Sequence, residues 1–264
     1  MNDFQRQGPL RDPASYPQWT QQLLRQCQPA KQQVVAHELF RRMAAGTLSQ
    51  PAMRLFLLGT WPVIEQFPLY MAQNLLKTRA GRQRGEDLAR RYLVRNIRVE
   101  QNHADYWQAW AECYGITMAE LQAQQVPPEM HALSHWCWHC SANDELLLAM
   151  AATNYAIEGA TGEWSQLVCA SGRYEASLPE ARRKRGMKWL KLHAHYDDEH
   201  PWEALNIICT LAGEQPSSCL QYQLQAAISK SYSYMQLILD RCLQLDSDNR
   251  HARHAANVCL TGSK

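Results

Sequence analysis

The sequence predicts an all-helical protein that folds as one domain of about seven helices. Helix-capping residues, prolines and glycines recur at helix-length intervals, the connections between them are two to eight residues long, and no stretch alternates as a β-strand does. A chain of 264 residues fits a single core, because cores stop growing near roughly 250 to 300 residues. We expect an N-terminal arm over residues 1–15, the helical domain over 16–245 and a polar, frayed tail over 246–264.

In the first half of the chain, proline, serine and glycine mark the ends of three helices. The first is predicted from Pro17 to about Ala45, where Gly46 stops it. Ser49 then reads as an N-cap with Pro51 just inside a second helix that continues to about Lys77. The Gly- and Arg-rich loop over 80–85 leads to a third helix, from about Glu86 to Tyr114.

The second half follows the same rules, with short helices before long ones. Thr117 caps a short turn, and Pro127 with Pro128 starts another. Ser141 is predicted to cap a long helix that ends near Ala170. Ser177 and Pro179 are predicted to begin the segment that carries His193, and Gly213 to end the helical segment that follows it. The last helix is predicted from Pro216 to about Leu245.

Composition excludes several classes of partner. Lys plus Arg total 27 and Asp plus Glu total 25, so the net charge of +2 predicts neither a nucleic-acid partner nor an anionic membrane surface. No charge-free apolar run approaches the roughly 20 residues of a membrane span, and the polar N-terminus lacks the apolar segment of a secretory signal. Nine cysteines scattered through helical segments favour buried free thiols in a reducing cytoplasm.

Two isolated carboxylates stand out in apolar helical runs. Glu65 is the only formal charge between Arg54 and Lys77, and Glu158 lies in a similar run. Burying a lone carboxylate costs several kcal/mol unless it is paired, protonated or bound to a cation. Either residue alone is equally compatible with a buried Glu that is hydrogen-bonded to a Tyr, a Trp or the backbone.

Glu100 and His103 form a Glu-x-x-His pair. Their spacing of three places both side chains on one face of a helix. Helix bundles use this spacing in di-iron carboxylate sites, where a carboxylate oxygen and an imidazole nitrogen meet a common ion. The pair also arises by chance, and the sequence holds only one copy, so a second source of ligands is needed.

The segment from Leu192 to His200 supplies such a source. At about 100 degrees per residue, His193, Asp197 and His200 fall within a stripe of about 60 degrees on one helix. The alternative is that this stripe is a polar solvent face that happens to contain histidines. On the same arithmetic His195, Asp198 and Glu199 point the other way, and we expect them to support the ligands or to face solvent.

Together these residues predict a centre for two metal ions. Carboxylate and imidazole donors without a thiolate favour iron or manganese over structural zinc, and four carboxylates suit two divalent ions. Trp61, Trp107 and Trp189 each lie one helical turn from a predicted ligand, either as ordinary core or as a dry wall around the centre. The predicted metal ligands are Glu65, Glu100, His103, Glu158, His193, Asp197 and His200.

The run from His135 to Cys140, His-Trp-Cys-Trp-His-Cys, invites a zinc or redox interpretation. It lacks a second Cys pair and the βαβ context of a thioredoxin motif. We favour a helix end packed through Trp136 and Trp138.

The ordered ligand set resembles the haem-oxygenase-like di-metal oxidases, and more closely the UndA-type decarboxylases that form 1-alkenes from medium-chain fatty acids. Over about Gly8 to Leu245 the resemblance implies a seven-helix fold related to the TenA thiaminases and the pyrroloquinoline-quinone synthases. Four runs carry it: Trp61-Pro-Val-Ile-Glu-Gln-Phe67, Asn96-Ile-Arg-Val-Glu-Gln-Asn-His-Ala-Asp-Tyr-Trp107, Ala151-Ala-Thr-Asn-Tyr-Ala-Ile-Glu-Gly-Ala-Thr-Gly-Glu-Trp164 and Tyr196-Asp-Asp-Glu-His-Pro-Trp-Glu-Ala-Leu205.

The resemblance implies an enzyme that uses two Fe(II) ions, O2 as co-substrate and an external electron donor to convert a medium-chain fatty acid, such as dodecanoic acid, into a terminal alkene such as 1-undecene with release of CO2. Hydrogen abstraction at C3 of the acid starts the reaction. Two alternatives are a related oxidase of an amino acid or amine, and a metal-free helical module that binds other proteins.

Pro201 predicts a break in the helix that carries the last ligands. Proline has no N–H to donate, and its ring clashes with the carbonyl four residues earlier, here that of Asp197. It also pushes the preceding residue, His200, away from helical angles. We expect the stretch from Leu192 to Trp202 to be ordered by the second, more weakly held ion.

Overall fold

The computed structural model describes residue 9 and residues 11–196 and 199–261, with the side chains of residue 196 and residues 253–261 left out of the description. Every regular element in these ranges is a helix, so the predicted all-helical class is confirmed. The helices are α1 (Gln18–Val35), α2 (Glu38–Ala44), α3 (Gln50–Leu76), α4 (Arg84–Glu100), α5 (His103–Ala111), α6 (Met118–Ala123), α7 (Ala132–Asn143), α8 (Leu146–Met150), α9 (Glu158–Cys169), α10 (Arg173–Ser177), α11 (Glu180–Gly186), α12 (Lys188–Tyr196), α13 (His200–Ala212) and α14 (Ser218–Thr261).

The described helices outnumber the seven predicted, because several predicted helices are interrupted. The first divides at His37, whose ring Nδ1 accepts a hydrogen bond from the backbone N–H of Leu39 and so caps α2. The third divides at residues 101–102 between α4 and α5. A π-helical stretch, Ala151–Ile157, joins α8 to α9.

Two predicted boundaries are wrong. Ser141 is buried within α7 rather than an N-cap, and the next helix starts after Glu145. The last helix does not end near Leu245, because α14 continues to Thr261. Asp246 is fully buried there, where its carboxylate pairs with Arg42 and Arg250, so the predicted polar tail begins inside the packed protein.

The core is rich in aromatic side chains. Trp107, Trp110 and Trp189 are essentially inaccessible to solvent and pack against one another in one cluster. Such rings bury large apolar areas and contribute most of the packing energy of a core this size. Helix α12 lies against α9 and α5, so the predicted ligand segments meet beside this cluster.

The run from His135 to Cys140 lies in α7, as the favoured interpretation requires. Cys137 and Cys140 are fully buried, and Trp136 donates its indole N–H to the hydroxyl of Ser231. Burial raises the pKa of both thiols above their ordinary value. None of the described helices combines the length and apolar character that crossing a bilayer requires.

Candidate metal centre

Four of the predicted ligands line one small cavity inside the helical domain. Glu100 ends α4, His103 begins α5, Glu158 begins α9 and His193 lies near the end of α12. All four side chains are more than nine-tenths buried. The cavity has a volume of about 30 Å³, and its remaining lining is Val63, Ile64, Phe67, Ile157, Thr161 and Trp189.

The tightest part of the cluster is formed by Glu100, His103 and His193. The Nδ1 atom of His103 lies 2.7 Å from Oε2 of Glu100, without the alignment of a hydrogen bond. The rings of His103 and His193 are 4.6 Å apart between centroids. The two side chains of the Glu-x-x-His pair are therefore close enough to bind one shared ion, and without an ion they form a close imidazole–carboxylate pair.

The tautomer of His193 is set by the backbone. Its Nδ1 lies 2.8 Å from the carbonyl oxygen of Trp189, which only an N–H on that nitrogen can satisfy. The other ring nitrogen, Nε2, is then left as a lone-pair donor. A metal-bound histidine typically gives its second N–H to a carbonyl or carboxylate in this way, which fixes the orientation of the ring.

Burial and mutual proximity keep these groups in ligand-competent forms. Burial, reinforced by His103, lowers the pKa of His193 to about 3, and burial also lowers the pKa of His200. Burial alone would raise the pKa of Glu100, but the neighbouring imidazoles, His103 foremost, hold it below its usual value. A neutral imidazole, as at His193, and an ionised carboxylate, as at Glu100, are states that bind a metal ion.

Glu158 is held by neighbours that the sequence analysis did not single out. The side-chain amide of Asn154 donates a hydrogen bond of 2.8 Å to Oε1 of Glu158, and Tyr92 contributes a longer one of 3.5 Å to Oε2. Asn154 lies in the π-helical stretch and in turn accepts from Thr153. Such π-bulges are frequent at functional sites, since they re-aim side chains that a regular helix would place elsewhere. The four-residue spacing of Asn154 and Glu158 was the available signal.

The helix carrying the last predicted ligands is interrupted before Pro201, as the sequence predicts, with a turn at Glu199. Helix α12 ends at Tyr196, and His200 begins α13 with Pro201 in its first turn. The prediction that His193 and His200 share one helical stripe is therefore wrong. His200 nevertheless approaches the cluster, with its Nδ1 3.6 Å from Oε2 of Glu158. Asp197 lies outside the described residues.

Glu65 stands apart from the other ligands. Its side chain is exposed on α3, whereas its neighbours Ile64 and Phe67 line the cavity. The prediction of a buried carboxylate at this position is wrong, because α3 exposes part of its apolar run to solvent: Leu69 is 50 % and Leu76 80 % exposed. Because water can solvate an exposed carboxylate, burial no longer argues for a metal ligand at Glu65, and its place in the ligand set stays a prediction.

Aromatic packing closes one side of the cavity. The indole of Trp189 stacks on the ring of His193 at 3.7 Å, and Trp107 packs edge-on against Trp189. Trp61 is buried as well, although it lies one turn from the exposed Glu65. These tryptophans are therefore buried, and Trp189 packs directly on His193, as both the ordinary-core and the dry-wall interpretations allow.

The chemistry of the donor set fits iron, although the described atoms do not complete a site. Among the described residues, no three His, Cys, Asp or Glu side chains stand in an arrangement that would hold a metal ion. Imidazole nitrogen and carboxylate oxygen with open positions are the donors that non-haem iron prefers. The close approach of the buried His103 imidazole and Glu100 carboxylate is the structural observation that is compatible with a shared cation.

The fold and the buried cluster define a helical protein with a haem-oxygenase-like fold. The chain aligns with a TenA homologue from Pseudomonas syringae pv. tomato at 59 % identity and a TM-score of 0.88, covering 91 % of this chain and 98 % of that one. A TenA homologue from Pyrococcus furiosus shares the fold at 14 % identity and a TM-score of 0.67, covering 85 % and 99 % of the two chains. A domain from Shewanella denitrificans with a heme oxygenase-like fold shares it at 12 % identity and 0.66, covering 85 % and 91 %.

The family model described as "iron-containing redox enzyme" matches residues 54–229, so the chain belongs to that family. The matched range includes all seven predicted ligand positions. Among proteins with curated descriptions, none matches the chain.

Proposed function

We propose that this protein is a non-haem di-iron oxidase that converts medium-chain saturated fatty acids into terminal alkenes and CO2. The observation that carries the proposal is the convergence of Glu100, His103, Glu158 and His193 on a cavity whose other walls are mostly apolar. Membership of a family of iron-containing redox enzymes supports the metal, and the resemblance of the ligand-bearing runs to alkene-forming decarboxylases supports the reaction.

The residues have two proposed roles, which are to bind the metal ions and to orient the side chains that bind them. We infer that Glu100, His103 and His193 hold one Fe(II) and that Glu158, His200 and Asp197 complete the site for the second, while iron when bound supplies O2 activation. Asn154 orients the carboxylate of Glu158, and the carbonyl of Trp189 orients His193. No other general acid or base is needed.

Electron counting defines what else the reaction requires. Conversion of R-CH2-CH2-COOH into R-CH=CH2 and CO2 releases two electrons and two protons, whereas full reduction of O2 to water takes four of each. Two further electrons and protons must therefore come from an external donor, unless O2 is reduced only to H2O2, which then leaves the site. The substrate carboxylate beside the metal centre would hold C3 within reach of the oxidant, so that orientation contributes to the rate.

The apolar wall supports a fatty acid over a polar substrate. The described lining beyond the donors is formed by Val63, Ile64, Phe67, Ile157, Thr161 and Trp189, with no fixed cation or anion to pair with an amino acid or amine. A cavity of about 30 Å³ is far smaller than the roughly 300 Å³ of a typical ligand pocket, so side chains of this wall must shift to admit the alkyl chain.

The test is direct product analysis. Protein loaded anaerobically with Fe(II) is mixed with O2, a reductant and a series of saturated acids from octanoic to hexadecanoic, and the headspace is analysed for terminal alkenes. The proposal expects iron-dependent release of an alkene one carbon shorter than its acid. Iron binding without alkene from any acid would instead favour an oxidase of amines or amino acids, and failure to bind iron would favour the metal-free module.

A further inference from the structure

A continuous row of oxidisable aromatic side chains leads away from the candidate metal centre. Its first member is Trp189, whose ring stacks on that of His193 with 3.7 Å between centroids. Trp110 is stacked on Trp189 at 5.8 Å, with only 24° between the ring planes. Both indoles are fully buried, so they form a dry connection that starts at a predicted ligand.

The row continues through two hydrogen-bonded tyrosines. The indole N–H of Trp110 donates to the hydroxyl of Tyr174 over 2.6 Å, and that hydroxyl lies 3.0 Å from the hydroxyl of Tyr114. Tyr174 is 2 % exposed, whereas Tyr114 is partly exposed at the end of the 3-10 turn that follows α5. The row therefore ends at a partly exposed side chain, Tyr114, three contacts away from Trp189.

We propose that Trp189, Trp110, Tyr174 and Tyr114 form an electron-transfer path between the metal centre and a small one-electron reductant in solution, such as ascorbate. The inference rests on the proposed oxidase function, because only an oxidising centre would draw electrons along the row. It adds a point of entry for the external electrons and an outlet for oxidising equivalents that arise without substrate.

The transfer balances as a one-electron relay. Trp189 would give an electron to an oxidising centre, Trp110 would then reduce Trp189, and Tyr174 would reduce Trp110. Tyr114 in turn gives an electron to Tyr174 and the hydroxyl pair releases one proton to solvent, so that Tyr174 is again a neutral phenol and Tyr114 is left as the neutral phenoxyl radical. An ascorbate monoanion gives Tyr114 a hydrogen atom and becomes the ascorbyl radical. After each electron has been delivered, all four aromatic side chains are back in their initial oxidation and protonation states.

Local chemistry favours electron loss through this row. The indole N–H of Trp189 has no hydrogen-bond partner among the described residues, so its oxidised form cannot relax by passing on a proton and instead oxidises its neighbour. Burial raises the pKa of Tyr114 to about 12, so its phenol stays protonated and can donate a hydrogen-bonded proton together with the electron.

Other contacts of the cluster are poorer routes. Trp164 also stacks near Trp189, but its next neighbour is Phe40, which is not readily oxidised. Tyr106 is partly exposed with its ring 6.2 Å from that of His103, yet the ammonium of Lys188 lies 3.8 Å from the Tyr106 ring centroid. A cation over an aromatic face is attracted by its electrons, so their removal there is disfavoured.

The test is radical trapping in iron-loaded protein exposed to O2 without fatty acid. A nitrone spin trap followed by peptide mass spectrometry locates the radical, and freeze-quench EPR identifies it as tyrosyl. We expect an iron-dependent adduct at Tyr114 that Tyr174→Phe abolishes, because phenylalanine keeps the ring but removes the oxidisable hydroxyl. Trp110→Phe should have the same effect, whereas Tyr70→Phe, which alters another buried, hydrogen-bonded tyrosine, should leave the adduct intact.

A second readout separates electron delivery from the chemistry of a single cycle. With ascorbate as the only donor, Tyr174→Phe should lose most multiple-turnover product yet keep the yield of one turnover by pre-reduced protein. An unchanged adduct in Tyr174→Phe, or its loss in Tyr106→Phe alone, would overturn the path while leaving alkene formation standing. An iron-dependent Tyr114 adduct without alkene from any acid would support the path and overturn the proposed substrate, and failure to bind iron would remove both.

Discussion

The two halves of the donor cluster are built in different ways. Glu100, His103 and His193 lie on α4, α5 and α12, with contacts as short as 2.7 Å and a backbone tether on His193. Glu158 and His200 are farther apart, at 3.6 Å, and His200 follows the interruption between α12 and α13. Donors seated in helices and tethered to the backbone are positioned before a metal arrives, whereas donors beyond a break depend more on the metal to bring them together.

The first half should be the indispensable one. We expect His193→Ala to abolish iron binding and to lower alkene formation by roughly 100-fold or more. The reason is that loss of a group that only orients a ligand can already cost roughly 100-fold. Helical content should change little, because aromatic packing rather than metal holds the core. Metal analysis, alkene yield and circular dichroism measure these effects.

His195 provides a matched control for this variant. It lies on the same helix and its Nδ1 faces the carbonyl of Lys191 at 2.9 Å, but the side chain is exposed. His195→Ala should retain iron and activity. Equal losses in both variants, or unfolding of His193→Ala, would show that α12 is sensitive for structural reasons.

Loss of a ligand from the second half, Glu158 and His200, should affect the binding of only one of the two proposed ions. We expect His200→Ala to reduce bound iron from two ions per chain to one, since the cluster of Glu100, His103 and His193 is untouched. Alkene formation should fall strongly with the second ion. Iron stoichiometry and Mössbauer spectra report the two sites separately, and retention of both ions at full occupancy would remove His200 from the ligand set.

Asn154 tests whether the second half is oriented by its surroundings. Asn154→Ala removes the 2.8 Å hydrogen bond to Glu158, and we expect metal affinity to weaken by roughly 10- to 100-fold. Competition with a chelator measures the affinity. Because Thr153 also loses a partner, Thr153→Val is the control, and a comparable loss there would point to disruption of the π-helical stretch instead.

Amide hydrogen exchange tests the interruption before His200 without using activity. We expect iron to increase protection over Leu192 to Trp202, the segment that contains this interruption, and to leave the middle of α14 unchanged. The reason is that metal binding couples the free energy of ligation to the ordering of its ligands. Equal protection of Leu192 to Trp202 in apo and iron-loaded protein would indicate a preformed site with a harmless proline break.

Substitution of Glu65 should have the smallest effect, because this residue does not line the cavity that the donor cluster shares. Because its side chain is exposed on α3, Glu65→Gln should keep both irons, normal turnover and normal stability. Surface substitutions of this kind usually change stability by within about 0.5 kcal/mol. A lowered iron content would return Glu65 to the ligand set and show that α3 rotates when metal binds.

The sequence by itself determined the helical class and the local pairings. The three-residue spacing of Glu100 and His103 predicted that both lie on one face. Nδ1 of His103 is indeed 2.7 Å from Oε2 of Glu100, even though the helix is interrupted between the two residues. The isolated charge of Glu158 in an apolar run correctly marked a buried carboxylate. Pro201 correctly indicated a break, since loss of the N–H donor and a steric clash are properties of the local chain.

Only the tertiary structure decided which faces are covered. The same isolated-charge argument failed at Glu65, because periodicity defines a helix face but the packing of neighbouring helices decides whether that face is buried. His200 reached the cluster from α13 rather than from the stripe of His193, since a broken helix no longer keeps its angular register. Asp246 became a buried anchor because Arg42, some two hundred residues earlier, lies beside it, and no local pattern encodes contacts over that separation.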